Sequence, residues 1–89
     1  MTPDKVIVTI QTVSGECWGD FELPAGIPID GFQGALTDAL IKQAPQKFGS
    51  WTGRGTALSF QGRQIPGNDT LAAHGVWDGS YVTVQPLMH

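Results

Sequence analysis

Between Leu23 and Ile29 the spacing of apolar residues changes from a period of two to the period of a helix, and this change narrows the possible folds more than any other feature of the chain. Before it, Val6, Val8, Ile10 and Thr12 alternate with Ile7, Thr9 and Gln11 in a β-branched run, the pattern of a strand with one buried face over residues 5–12. Val13-Ser14-Gly15-Glu16 supplies a turn. Phe21 and Leu23 then resume the alternation, with Asp20 and Glu22 between them, up to Pro24. The chain therefore opens as a β-hairpin. Trp18 is out of phase with Phe21 and Leu23, so either Gly19 marks a bulge or the indole faces outward. After Pro24, Ile29, Phe32, Leu36 and Leu40 recur at i, i+3, i+7 and i+11, which predicts a helix over about 29–43. Gly31 and Gly34 each cost that helix roughly 1 kcal/mol relative to Ala and lie opposite its apolar stripe, so either the loss is simply tolerated or another backbone approaches there.

Pro45 ends the helix, and residues 45–56 form a Gly-rich connection that carries Phe48 and Trp51 and has room for a short strand. Leu58 and Phe60 read as a third strand, followed by a turn at 61–64, Ile65, and a second turn at 66–69. The last strand is Tyr81 to Gln85, after the turn Asp78-Gly79-Ser80. A hairpin, a helix and further strands make an α+β order in which the helix covers one face of a mixed sheet. The helix also provides the crossover that makes the first and last strands parallel neighbours at the sheet centre. With 89 residues the chain suits one domain, placed at 5–86.

Several function classes fall away on composition and spacing. The net charge is −3, and Lys5, Lys42, Lys47, Arg54 and Arg63 are scattered, so no basic stripe is available to neutralise phosphates and nucleic acid is not an expected partner. The opening Met1-Thr2-Pro3-Asp4-Lys5 and the short run Val6 to Ile10 make neither a signal peptide nor a membrane span, so we expect a cytoplasmic chain without membrane insertion. Cys17 is the only cysteine, which agrees with a reducing compartment and cannot hold an iron–sulfur cluster. His74, His89 and Cys17 have no metal-ligand spacing. Asp20, Asp30, Asp38, Asp69 and Asp78 are dispersed in loops or at helix ends, where carboxylates solvate or turn the chain rather than act as an acid and base pair. No nucleophile triad or phosphate loop is present, and Gly53-Arg54-Gly55 is too short to cradle an anion. No enzyme activity and no cofactor are expected.

The stretch Leu58-Ser59-Phe60-Gln61-Gly62-Arg63-Gln64-Ile65, with Thr70-Leu71 and Gly75-Val76-Trp77-Asp78-Gly79 ahead of the last strand, resembles ubiquitin and its relatives over residues 5–85. The resemblance implies an α+β, ubiquitin-like β-grasp domain with a mixed sheet and one main helix on one face. It also implies that Leu71 and Val76 pack under the sheet, with Gly75 and Gly79 free to take positive φ beside them. Among the relatives, the YukD-like (EsaB-like) bacterial proteins of type VII secretion are the most similar in size and in the turn before the last strand. The chain ends Gln85-Pro86-Leu87-Met88-His89 without the Gly-Gly of modifiers and sulfur carriers, so conjugation is not expected. The apolar recognition patch of ubiquitin falls on Val13, Ser59 and Gln85, two of them polar, so receptors for that patch should not bind. The triplets Trp51-Thr52-Gly53 and Trp77-Asp78-Gly79 are similar to the W-x-G of small secreted substrates, but there the motif joins two long helices.

The expectation is thus a non-conjugated, non-enzymatic interaction module, an accessory or regulatory component of type VII secretion, whose partner is a secretion ATPase or a membrane channel component. The alternative is a small non-catalytic subunit of a multicomponent enzyme. Either way the protein should be a monomer or a weak homodimer. The candidate partner surface is Phe48, Trp51, Arg54, Trp18 and Trp77, because exposed aromatics and arginines anchor interfaces. For Phe48 and Trp51 the competing reading is a satellite of the core.

Overall fold

A computed structural model describes residues 4–87. Met1, Thr2, Pro3, Met88 and His89, which the sequence reading used as the opening and the terminus, lie outside the described residues. Five strands, β1 (Lys5–Thr12), β2 (Cys17–Pro24), β3 (Thr56–Phe60), β4 (Arg63–Gln64) and β5 (Tyr81–Pro86), form one mixed sheet in the order β2-β1-β5-β3-β4. β1 and β5 pair in parallel at its centre, Ile10 opposite Val82, as a helical crossover requires. The main helix α1 (Gln33–Gln43) packs on one face, and the core lies between the two layers.

Val6, Val8 and Ile10 point into this core, and Leu23 joins them from β2, its Cα opposite Val6. Between the pairs Thr9–Asp20 and Gln11–Cys17 the register slips, with two steps along β1 against three along β2. The extra residue is a β-bulge, and Gly19 takes φ +105° there, a conformation that a side chain would resist. The bulge alternative for Trp18 is the correct one.

The predicted helix over 29–43 is divided. Ile29–Gly31 form a 3-10 turn, Phe32 breaks it with φ −134°, and α1 starts at Gln33. The turn is held from outside the helix, because the N–H groups of Ile29 and Asp30 donate to the carbonyls of Asp69 and Gly67. At Gly31 it is the Ile27 side chain rather than another backbone that approaches, within 2.8 Å of where a Cβ would stand. The predicted stripe of Ile29, Phe32, Leu36 and Leu40 is buried throughout.

The connection after α1 contains no strand. Ala44 is extended, as the residue before a proline tends to be, and Pro45 then begins a four-residue helix, α2 (Pro45–Phe48), followed by a 3-10 turn over Gly49–Trp51. Proline at the first helical position has its φ already set, which favours a helical turn over a strand. Gln61 and Gly62, both at positive φ, close the tight β3–β4 turn. Leu71 and Val76 are buried under the sheet, with Gly75 and Gly79 at positive φ, as expected.

Candidate functional site

Trp18, Phe48 and Trp51 do come together, but inside the molecule. Phe48 is fully enclosed and Trp51 is 8 % exposed, so the expectation that these two form a partner surface is corrected. The bulge at Gly19 and the helical turns after Pro45 aim the three rings at one point. Trp18 meets Phe48 edge-on at 5.4 Å between centroids, and Phe48 meets Trp51 edge-on at 4.9 Å. Edge-to-face contact of this kind adds about 0.5–1.5 kcal/mol per pair beyond the area buried. Trp18 is half-buried, its carbonyl accepts a hydrogen bond from Gln43 Nε2, and its indole Nε1 is enclosed with no acceptor among the described residues. Packing therefore decides its position, and it too is a poor contact residue.

Arg54 is exposed in the connection leading to β3, with its backbone N–H on the Trp51 carbonyl at 2.9 Å. Trp77 lies in the loop entering β5, whereas Thr56, two residues after Arg54, pairs with Pro86 at the other end of that strand. The length of β5 separates Arg54 from Trp77, and the two do not share a site.

Trp77 is 68 % exposed, and it is held rather than loose. Its N–H donates to Ser80 Oγ at 3.1 Å, and the Ser80 N–H returns a bond to the Trp77 carbonyl at 3.0 Å, with Gly79 at positive φ in the same turn. The turn is stitched to β1. Asp78 Oδ1 accepts from the Ile7 N–H, and the Gly79 N–H donates to the Ile7 carbonyl, both at 2.8 Å. Tyr81, 56 % exposed, follows directly and pairs with Thr9 on the sheet face that α1 leaves uncovered, where Ile7 is 46 % exposed. A depression of about 350 Å³ runs between Trp77, Tyr81 and Phe60 over a polar floor of Gln11 and Thr83, whose side chains are bonded at 3.2 Å. Two rings with apolar bodies and polar tips, one on a fixed turn and one on the strand that follows it, suit protein contact, since they lose little rotamer freedom when covered.

Tyr81, Phe60 and Ile7 were missed because each reads as an ordinary strand residue. The one available sign was that Ile7 and Tyr81 are large apolar residues in the outward register of their strands. Among the described residues, no three His, Cys, Asp or Glu side chains group as metal ligands, and no helix is long and apolar enough to cross a membrane.

Comparison with known proteins adds a family. The model of YukD, described as a protein of the WXG100 protein secretion system (Wss), matches residues 6–84. No curated protein sequence matches. Among solved structures, the ubiquitin-like domain of the Mycobacterium tuberculosis type VII secretion system protein ECCD1 is 25% identical, with a TM-score of 0.68 over 90% of this chain and 96% of that one. The EccD5 ubiquitin-like domain from Mycobacterium xenopi is 22% identical, with a TM-score of 0.73 over 98% of this chain and 99% of that one. A chain of the MycP5-free ESX-5 inner membrane complex in State II is 22% identical, with a TM-score of 0.73 over 98% of this chain. Only 22% of that longer chain is spanned. The last two likenesses speak for the fold, and the family match covers nearly the whole sequence: the chain belongs to the YukD family of ubiquitin-like β-grasp domains associated with type VII secretion.

Proposed function

We propose that this domain, residues 5–86, is a non-enzymatic protein-interaction module acting at the cytoplasmic side of a type VII secretion system. In this reading it docks on a secretion ATPase or a membrane channel component through the surface of Trp77, Tyr81 and Ile7. The observation that carries it is the exposure of Trp77, on a turn fixed by four hydrogen bonds, and of Tyr81, the first residue of β5, on the face opposite the helix. An unpartnered tryptophan in water is normally turned inward, and a rigid one aimed outward fits an anchor residue. Membership of a family described with a secretion system, and a 25% identical domain from a type VII secretion protein, favour that machinery as the partner.

The test is an affinity capture from cytoplasmic and membrane extracts, with retained proteins identified by mass spectrometry, comparing wild type with Trp77→Ala and Tyr81→Ala. A secretion ATPase or channel component held by wild type and lost by both variants is the expected result. Retention of the subunits of a metabolic enzyme instead would replace this reading with that of a small structural subunit. Charging of the chain as a thioester or adenylate by an activating enzyme would end it.

A further inference from the structure

The second exposed feature lies at the β2 border of the sheet. β2 is an edge strand, and its hydrogen-bonding direction follows from its neighbour. Ile7 spends its N–H and carbonyl on Asp78 and Gly79, and the Thr9 N–H goes to the Ser80 carbonyl at 2.8 Å, so these two residues of β1 bond toward β5. In an antiparallel pair the two opposed residues point their polar groups the same way relative to the ladder, either both inward or both outward. The residues opposite Ile7 and Thr9 are Glu22 and Asp20. Their backbone N–H and carbonyl groups therefore face the open edge. Gln43, bonded to the Trp18 carbonyl, closes one end of this edge, and Pro24 closes the other.

Beside the edge, between β2 and α1, runs an apolar groove of about 170 Å³ lined by Phe21, Leu23, Phe32, Ala35 and Ala39. The helix wall is low there because Ala35 and Ala39 end at Cβ. A space of this size takes roughly one benzene-sized or branched aliphatic group. On the other side of the strand stand the carboxylates of Asp20 and Glu22, both exposed.

We propose that the β2 edge is a docking site for an extended peptide segment of a partner protein in which aliphatic and basic residues alternate. The segment adds a strand to the sheet by bonding to the backbone of Asp20 and Glu22, lays an aliphatic side chain in the groove, and sets its lysines or arginines against the two carboxylates. Charge selects this occupant over a second copy of the chain. Pairing β2 with β2 in antiparallel fashion would set Asp20 and Glu22 of each copy against the same acids of the other, and like charges directly opposite oppose pairing. The bulge at Gly19, Pro24 and the two acids are the devices that keep an edge strand from joining its own kind, yet the acids favour a basic strand. The Lys5–Glu22 contact, at 3.5 Å with both side chains more than half exposed, is readily exchanged for a partner's lysine. Glu22 and Asp20 stand opposite Ile7 and Thr9, one strand from the Trp77 surface, so Trp77→Ala, which leaves the β2 edge and its groove in place, separates the two readings.

The probe is the capped peptide acetyl-Lys-Ile-Lys-Val-Lys-Ile-Lys-amide, titrated into the labelled whole chain and followed by NMR. Expected are saturable shifts of the Asp20 and Glu22 amides together with the Ala35 and Ala39 methyls. Ala39→Gln, which fills the groove with a neutral side chain of good helix propensity, should weaken binding at least tenfold. Asp20→Asn with Glu22→Gln, which leaves the core untouched, should weaken it several-fold and flatten its salt dependence. Equal binding of the peptide with Glu in place of Lys, indifference to Ala39→Gln, shifts centred on Trp77, or dimerisation through β2 seen by sedimentation would each overturn the proposal.

Discussion

Thr37 and Thr56 show how single hydroxyls fix the helix to the sheet. Thr37 Oγ1 donates to the Gln33 carbonyl at 2.7 Å and lies 2.6 Å from Thr56 Oγ1, while the Thr56 N–H donates to Gln33 Oε1 at 2.8 Å. A hydroxyl has one proton, and Thr37 has already given its own, so Thr56 is the donor between the two. Both side chains are buried. Thr37→Val therefore strands the Thr56 hydroxyl and should cost about 1–3 kcal/mol, whereas Thr56→Val leaves Thr37 satisfied by Gln33 and should cost less. In urea unfolding the double variant should lose less than the sum of the two, and additive losses of equal size would contradict this placement of the protons.

At the scale of elements, the bulged β2 and the turns of α2 exist to bring three aromatic rings against the end of the helix layer. Phe48→Ala empties a fully enclosed site and should cost about 3–5 kcal/mol, with Trp51→Ala in the same range. Trp77→Ala touches no core and should stay within about 0.5 kcal/mol of wild type. Denaturant midpoints of the three variants check the division between core and surface directly. A Phe48 and Trp51 double variant would lose partners simply by unfolding, because its cost approaches the whole stability of a domain of this size, about 5–15 kcal/mol. That is why Trp77 and Tyr81 carry the interaction test.

For the molecule as a whole, β1 and β5 sit side by side at the sheet centre, and every other layer packs on them. Amide exchange should therefore be slowest at Thr9, whose N–H donates to the Ser80 carbonyl, and at Val82 in the facing strand, which open only with global unfolding. The outward-facing amides of Asp20 and Glu22, one strand away, should exchange orders of magnitude faster. Native-state hydrogen exchange by NMR measures both in one experiment, and protection at Asp20 and Glu22 in the free chain would mean that the β2 edge is already covered.

The element order, the buried stripes and the parallel pairing of the outermost strands in sequence were all legible before any coordinates, because hydrophobic period and chain connectivity are local properties that the residues carry with them. The stripe Ile29, Phe32, Leu36 and Leu40 and the alternation of Val6, Val8 and Ile10 survive intact. Which aromatic rings face water was not legible. In sequence Phe48 and Trp77 both read as residues of Gly-rich connections, and nothing in their neighbours along the chain separates them. One is enclosed because a bulge some thirty residues earlier leans Trp18 over it, and the other is held outward because Asp78 accepts from the Ile7 N–H, seventy-one residues away. The direction of a loop side chain depends on what the rest of the chain leaves beside it. Period and composition therefore determined this protein's layers and their pairing, while only the folded contacts decided which residues became its surface.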